Sequence, residues 1–296
     1  MVLVIPMCNW KKVNIKYINE GYLFLSFGFL ETWNEELAFL NKGKEGARYR
    51  YPESLIRFCS VLKACFHLGF RQEQGFLQAL QEWVPLQSVP SYSQIERRMV
   101  KLGLDLVKSL EHPEDAQIVA IDSTGIKLYN SGQWIREKHN KKGPFLKLHI
   151  AVNVKGKQAV AIEVTEDSVG DSKLGLKLVD KARKIQRIST ALLDGAYDTY
   201  RIWNGLHARG IRPLIRLRKN AVVNYKRSEV RSRAVKSYKE VDEFAKATGF
   251  SQRWQAETWF SSFKRRFGEH CSSVKPENAL HEILLKACLC NRLISQ

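Results

Sequence analysis

The sequence predicts an α/β protein: a mixed sheet with helices on its faces, behind a helical N-terminal region. Three observations carry that reading. Residues 1–113 place their apolar side chains at helical spacing. From about Asp115 the pattern shifts to short, nearly continuous apolar runs alternating with helical stretches. The charge shifts at the same point. Of a formal +18 from 48 Lys+Arg against 30 Asp+Glu, residues 1–113 hold 14 basic and 11 acidic side chains, a net of only +3.

In the front region Pro52 stands where a helix can begin, and Leu55, Ile56, Phe58, Cys59, Leu62, Phe66 and Leu68 keep helical spacing up to Gly69. A second helix is expected near Gln72 to Trp83, ending before Pro85. A third should start after Ser91 or Ser93 as N-cap, with Glu96 placed as in a capping box, and run through Ile95, Met99 and Leu102. Three short helices joined by tight turns suit a helix-turn-helix reader of DNA, and equally a plain bundle or dimerisation unit.

Behind this region, Gln117 to Asp122 (QIVAID) has the apolar continuity of a buried strand. Phe145 to Val154 and Gln158 to Thr165 are two more, separated by Lys155-Gly156-Lys157 and so expected to form a hairpin. Residues 171–187 read as a helix, and Ile188 to Leu193 as a strand closed by Asp194-Gly195. Thr199 to Ala208 suits a helix ended by Gly210, and Ile211 to Leu217 a fifth strand. The chain then returns to helix, with Pro276 opening an amphipathic segment to Leu293.

With 44% hydrophobic and 10% aromatic residues the chain can bury a sizeable core. A pI near 9.7 calls for a polyanionic partner, nucleic acid or an anionic membrane. The longest apolar stretch, Tyr22 to Leu30, is half the roughly 20 residues of a spanning helix. The start, MVLVIPMCNWKK, lacks a basic n-region and a small-residue cleavage site, making a poor signal peptide. The six cysteines form no C-x2-C pair and fit no zinc template with the histidines; Cys59 and Cys65 read as small buried residues. These features point to the cytoplasm. Half of the excess charge sits in residues 212–239, where ten Lys/Arg (Arg212, Arg216, Arg218, Lys219, Lys226, Arg227, Arg231, Arg233, Lys236 and Lys239) face one acid, Glu229. Tyr225 and Tyr238 are interleaved, so the block is expected to face a polyphosphate.

Three acids stand out. Asp122 and Asp194 each follow an apolar strand, and sites in open α/β sheets form at the carboxyl ends of strands. An acid there is desolvated unless something positive compensates it, as a divalent metal would. The alternative is that each simply starts a turn. Glu257 lies in RWQAETWFSSFKRRFGE; at about 100° per residue it shares a helix face with Arg253 and Lys264, beside an apolar set of Trp254, Trp259, Phe260 and Phe263.

These residues resemble the DDE transposases of bacterial and archaeal insertion sequences. The last catalytic helix of that family carries Y-x2-R-x3-E-x6-K, and Phe250, Arg253, Glu257 and Lys264 reproduce it with Phe in place of Tyr, losing one hydroxyl. The pieces IDST (Ile121 to Thr124) and DGAYD (Asp194 to Asp198) are similar to the first and second aspartate motifs, in the right order. The resemblance implies a ribonuclease H-like sheet over 114–296, with a basic insertion around 212–250. The 1–113 region would then be a DNA-end-binding or dimerisation domain. Asp122, Asp194 and Glu257 would hold two Mg2+ ions, or Mn2+, and cut and join DNA by two-metal phosphoryl transfer. Arg253 and Lys264 would contact phosphates by the scissile bond, with Arg265, Arg266 and the basic block (Arg216, Arg218, Lys219, Lys226, Arg227, Arg231, Arg233) extending the path. Tyr129 and Tyr197 are not needed as nucleophiles, and Trp134 reads as core or as a base-stacking residue. The partners implied are double-stranded DNA and a second copy of the chain. A metal-dependent nuclease on the same fold and a non-catalytic DNA-binding regulator are the alternatives.

Overall fold

A computed structural model describes residues 9–104, 117–128, 145–237, 249–273 and 275–295. Cys8, Tyr129, Trp134, Tyr238 and Lys239 lie outside the described residues. The chain divides into two compact units, Met1–Gly103 and Leu104–Ser295; the 113/114 boundary expected from composition lies outside the described residues.

The first unit is helical: α1 Trp10–Phe24, α2 Phe29–Asn41, α3 Glu53–Phe66, α4 Phe70–Leu80 and α5 Tyr92–Met99. The apolar stretch Tyr22 to Leu30 is broken between α1 and α2, so its residues serve two helices. The core gathers Phe29, Trp33, Leu55, Ile56, Phe58, Cys59, Leu62, Leu77, Ile95 and Met99, which are the faces the 3.6-residue spacing selects. Cys65, by contrast, is only partly buried. The joint between α3 and α4 is tight, with His67 in the left-handed region (φ 56°). The α4–α5 connection runs over residues 81–91, longer than the three or four residues of a helix-turn-helix joint. The N-cap of α5 is Ser91, one of the two expected, and its capping box is closed by Gln94, two residues before Glu96. In α4 the buried Glu73 carboxylate has no hydrogen-bond partner among the described residues. Burial pushes it up to about 8, against the charge of Lys63.

The second unit is a mixed sheet flanked by helices. Its elements are β1 Ile118–Leu128, β2 Phe145–Asn153, β3 Ala159–Glu166, α6 Gly175–Arg183, β4 Thr190–Leu193, α7 Tyr200–Ala208, β5 Arg212–Ile215, α8 Glu229–Ser237, α9 Trp254–Phe267, β6 His270–Cys271 and α10 Pro276–Ser295. The strand order is β3-β2-β1-β4-β5, with β6 pairing the end of β1. β1, β2 and β3 are antiparallel neighbours, whereas β1, β4 and β5 run parallel. This is the ribonuclease H-like arrangement. In the expected β2–β3 hairpin the positive φ falls on Lys157 (56°), and Asn153 Oδ1 accepts from the N–H groups of Lys155 and Gly156 at 2.9 and 3.0 Å.

A core of Val119, Ile121, Leu178, Val179, Leu193, Trp203, Leu206 and Ile215 joins the sheet to α6 and α7. Elsewhere Trp259 stacks on Phe263, with ring centroids 5.3 Å apart. Trp254, grouped with them by sequence, is instead 52% exposed. From α10 the side-chain amide of Asn291 reaches the outer edge of the sheet. It accepts from Ala159 N–H and donates to Ala159 C=O, both at 2.8 Å, as a neighbouring strand would. Nearby, Lys286 (2.7 Å), Ser273 (2.6 Å) and the Ser272 N–H (3.1 Å) all bond the buried Glu282 carboxylate. Burial alone would raise Glu282; these bonds hold it down to about 2.

Candidate active site

Asp122 does not close β1, as its sequence setting suggests. The strand continues to Leu128, paired with β2 as far as Lys127↔Phe145. What ends at this level is the parallel ladder between β1 and β4, whose last pair is Ile121↔Leu193. Asp122 and Asp194 are therefore the next residues on adjacent parallel strands. Beyond them β4 turns away: Asp194 Oδ1 accepts from Ala196 N–H at 2.7 Å, starting a 3₁₀ turn over Gly195–Tyr197.

Glu257 arrives from the other end of the unit. Gly249, in the left-handed region (φ 73°), opens a 3₁₀ turn over Phe250–Arg253, and α9 begins only at Trp254. That turn packs against both β1 and β4, which sets Arg253 at the strand ends and Glu257 in the first turn of α9. Arg253 Nη1 donates to Asp122 Oδ2 at 3.1 Å, and its Nη2 donates to Glu257 Oε1. Asp122 and Arg253 are each 20% exposed, while Glu257 is 56% exposed. Burial pushes Asp122 above the usual carboxylate range; the Ser123 N–H and Arg253 pull it down, and Asp194 and Glu257 push it further up. The three acids thus share one electrostatic neighbourhood with a single arginine bridging two of them.

All three acids offer only carboxylate oxygens, the hard donors that Mg2+ and Mn2+ take, and none offers the nitrogen or sulfur that zinc prefers. Among the described residues, no group of three His, Cys, Asp or Glu side chains is already drawn together as a metal cluster. The donor set fits a hard divalent cation, with Arg253 now standing against two of its members.

The other sequence-selected residues separate into kinds. Arg216 lies at the end of β5, its N–H donating to Leu193 C=O, and its side chain is exposed. Arg218 Nε donates to Gly195 C=O at 3.2 Å, so both arginines border the turn that follows Asp194. Lys219 and Lys226 are exposed, and Arg227 lies over the Tyr200 ring. Arg233 is exposed on α8 and paired with Glu229. Lys264 pairs with Glu269 at 3.5 Å, Arg265 is exposed and bonds Ser261, and Arg266 is half-buried.

Arg231 departs from expectation. It is buried, and its guanidinium holds Asp198 through two bonds of 2.7 and 2.8 Å and the Val222 carbonyl through a third. Asp198 also accepts from Trp203 Nε1 and from the N–H of Arg218. Arg231 therefore ties α8 and the basic segment to the DGAYD turn, and it is no part of an exposed cationic surface. Asp198 and its arginine were not singled out by sequence as a pair, because 33 residues separate them. Tyr197 is buried, and its hydroxyl has no hydrogen-bond partner among the described residues. Burial drives it well above its ordinary value, with Asp171, Asp122 and Asp194 adding to the effect.

Strand order and pairing define the class: a ribonuclease H-like protein. Residues 113–292, more than half of the chain, match a family model described as the transposase DDE domain, and residues 18–131 match a second model of the same description. The chain belongs to the transposase DDE domain family. Among solved structures, it is similar to the catalytic core domain of BIV integrase (12% identity, 57% of this chain and 82% of that one, TM-score 0.28). It is also similar to a simian T-cell lymphotropic virus intasome in complex with PP2A regulatory subunit B56 gamma (13% identity, 77% and 66%, TM-score 0.31). Among the described residues, no helix is long and apolar enough to cross a membrane.

Proposed function

We propose that the protein is an insertion-sequence transposase. It binds the terminal inverted repeats of its element, cleaves DNA at the element ends and joins the freed 3′-hydroxyls to target DNA. Beyond family membership, the observation that supports this most is the β1–β4 register. Asp122 and Asp194 follow the last ladder pair, and Arg253 links Asp122 to Glu257.

Asp122, Asp194 and Glu257 are the residues that would hold two Mg2+ or Mn2+ ions. The chemistry such ions would supply is activation of the attacking oxygen and stabilisation of the leaving oxygen in an in-line displacement at phosphorus. Arg253 offers its planar fork to a phosphate beside the scissile bond, and Lys264 a point charge. Arg216, Arg218, Lys219, Lys226, Arg227, Arg233, Arg265 and Arg266 lead the backbone toward that point; Arg231 is left out. The buried hydroxyl of Tyr197 is shielded from any substrate, so no covalent protein–DNA link is assigned to it. Two ends must be processed together, which calls for a homodimer on double-stranded DNA, acting in the cytoplasm.

The test is a cleavage and joining assay on a plasmid carrying the element ends, with Mg2+. Wild-type protein should release the ends and join 3′-hydroxyls to a target, and Asp122→Ala, Asp194→Ala and Glu257→Ala should each still bind DNA without cutting it. Cleavage without joining would indicate a nuclease. Binding without any Mg2+-dependent cleavage would indicate a regulator. Full strand transfer by any of the three variants would refute the assignment of the site.

A further inference from the structure

Arg253 occupies an unusual place for a residue meant to hold DNA. One guanidinium nitrogen is on Asp122 and the other on Glu257, two of the three acids proposed as metal donors. Each bond occupies one carboxylate oxygen, the kind of donor a hard metal takes. The guanidinium on both carboxylates is a cation, so an arriving dication meets a like charge already in place. Asp122 and Arg253 are both largely shielded from water, where like charges a few ångströms apart repel strongly. The second cation of the motif, Lys264, is engaged with Glu269. Asp194 is engaged with the Ala196 N–H.

We propose that Arg253 is a stand-in cation: it neutralises Asp122 and Glu257 in the free protein and must move off them before a divalent ion can bind. This rests on the reading that Asp122, Asp194 and Glu257 form a metal site. A phosphodiester is the other anion that matches the guanidinium fork, so DNA draws Arg253 away from the carboxylates. DNA and metal then bind cooperatively through one side chain. Linkage makes the effect reciprocal: DNA raises metal affinity by the same factor by which metal raises DNA affinity. Away from DNA the site disfavours metal, which keeps it metal-free until a substrate phosphate is in place.

The experiment measures Mn2+ affinity by electron paramagnetic resonance at fixed ionic strength, with and without a short DNA duplex. It compares the wild type with Arg253→Ala and Arg253→Gln, the second keeping the stem and a polar head. Without DNA, both variants should bind Mn2+ more tightly than wild type, by a factor in the range of roughly 5–150 usual for coupled sites. Duplex should tighten Mn2+ binding by a similar factor in wild type and by little in either variant. Arg201→Ala removes a charge from α7 in the same unit, at an exposed, screened position with no assigned DNA role, and should change Mn2+ affinity less than about twofold.

If Mn2+ binding needs Asp122 but is unchanged or weaker in both Arg253 variants, the stand-in role is wrong and the metal-site reading survives. An equal gain in Arg201→Ala would likewise overturn it, by showing a general field effect. Binding that persists in Asp122→Ala/Asp194→Ala, or that is absent from both wild type and the Arg253 variants, would overturn the metal-site reading and this inference with it.

Discussion

Asp122 and Asp198 sit in the same unit, and each meets an arginine, yet their surroundings differ in kind. Asp198 is surrounded by donors: Arg231 through two nitrogens, Trp203 through its indole N–H, and Arg218 through its backbone N–H. Burial alone would raise Asp198, and those donors hold it below the usual carboxylate range. Asp122 receives one arginine nitrogen and one N–H, shares its arginine with Glu257, and stays raised. A fully bonded acid belongs to the scaffold, since removing either partner strands a buried charge. An acid left short of donors can still take a cation. The same contrast separates Glu282, clamped by Lys286 and two serines, from Glu73, which has no hydrogen-bond partner among the described residues.

Substitution tests this division most sharply at the acids themselves. Asp122→Asn should lower cleavage at least ~1,000-fold, as expected when several kcal/mol of transition-state stabilisation disappear. Its unfolding free energy in urea should move by less than about 1 kcal/mol. Asp198→Asn should do the reverse to stability, costing about 3–5 kcal/mol because Arg231 is left buried and unpaired. Equal destabilisation by the two changes would erase the contrast.

The buried glutamates divide by pH. Glu282 is lowered, so its contribution is complete above its unfolded value and is lost as pH falls from about 4.5 toward 2. Glu73 is raised, so the folded state holds a proton the unfolded state has released, and stability falls as pH rises from about 4.5 to 8. Each slope is at most about 1.4 kcal/mol per pH unit. Urea titrations across pH should show Glu73→Gln flattening the neutral slope and Glu282→Gln the acid one.

The smallest effects belong to the basic segment. Replacing Lys219, Lys226 and Arg227 with Ala should lower the salt slope of DNA binding by about 0.9 for each phosphate no longer neutralised. Arg231→Ala should act on stability instead, which a melting curve separates from a binding isotherm.

The apolar runs gave the start of β1, strands β2 to β5 and the final helix within a few residues, because strand burial and helix period are local signals. Three features were hidden for a common reason. Ser123, Thr124 and Gly125 look like a strand exit, yet antiparallel partners on β2 carry the strand onward. Arg231 looks like one more charge in a basic run, and only Asp198, distant in sequence, takes it inside. The Arg253–Glu257 spacing was visible, but the second partner of Arg253 lies 131 residues away. Local composition encodes elements; which donors an acid collects is decided by long-range pairings that composition does not carry.

The amide of Asn291 gives the catalytic unit a schedule. Ala159 waits for a partner 132 residues further along the chain. At about 5–20 residues per second, a ribosome needs roughly 7–26 s to supply it. During that interval the outer strand of the nascent sheet carries an unmatched edge, the feature by which chains pair wrongly with one another. Crowding of many ribosomes on one message would therefore penalise this protein at β3, and shielding of that edge by a chaperone should matter most before α10 emerges.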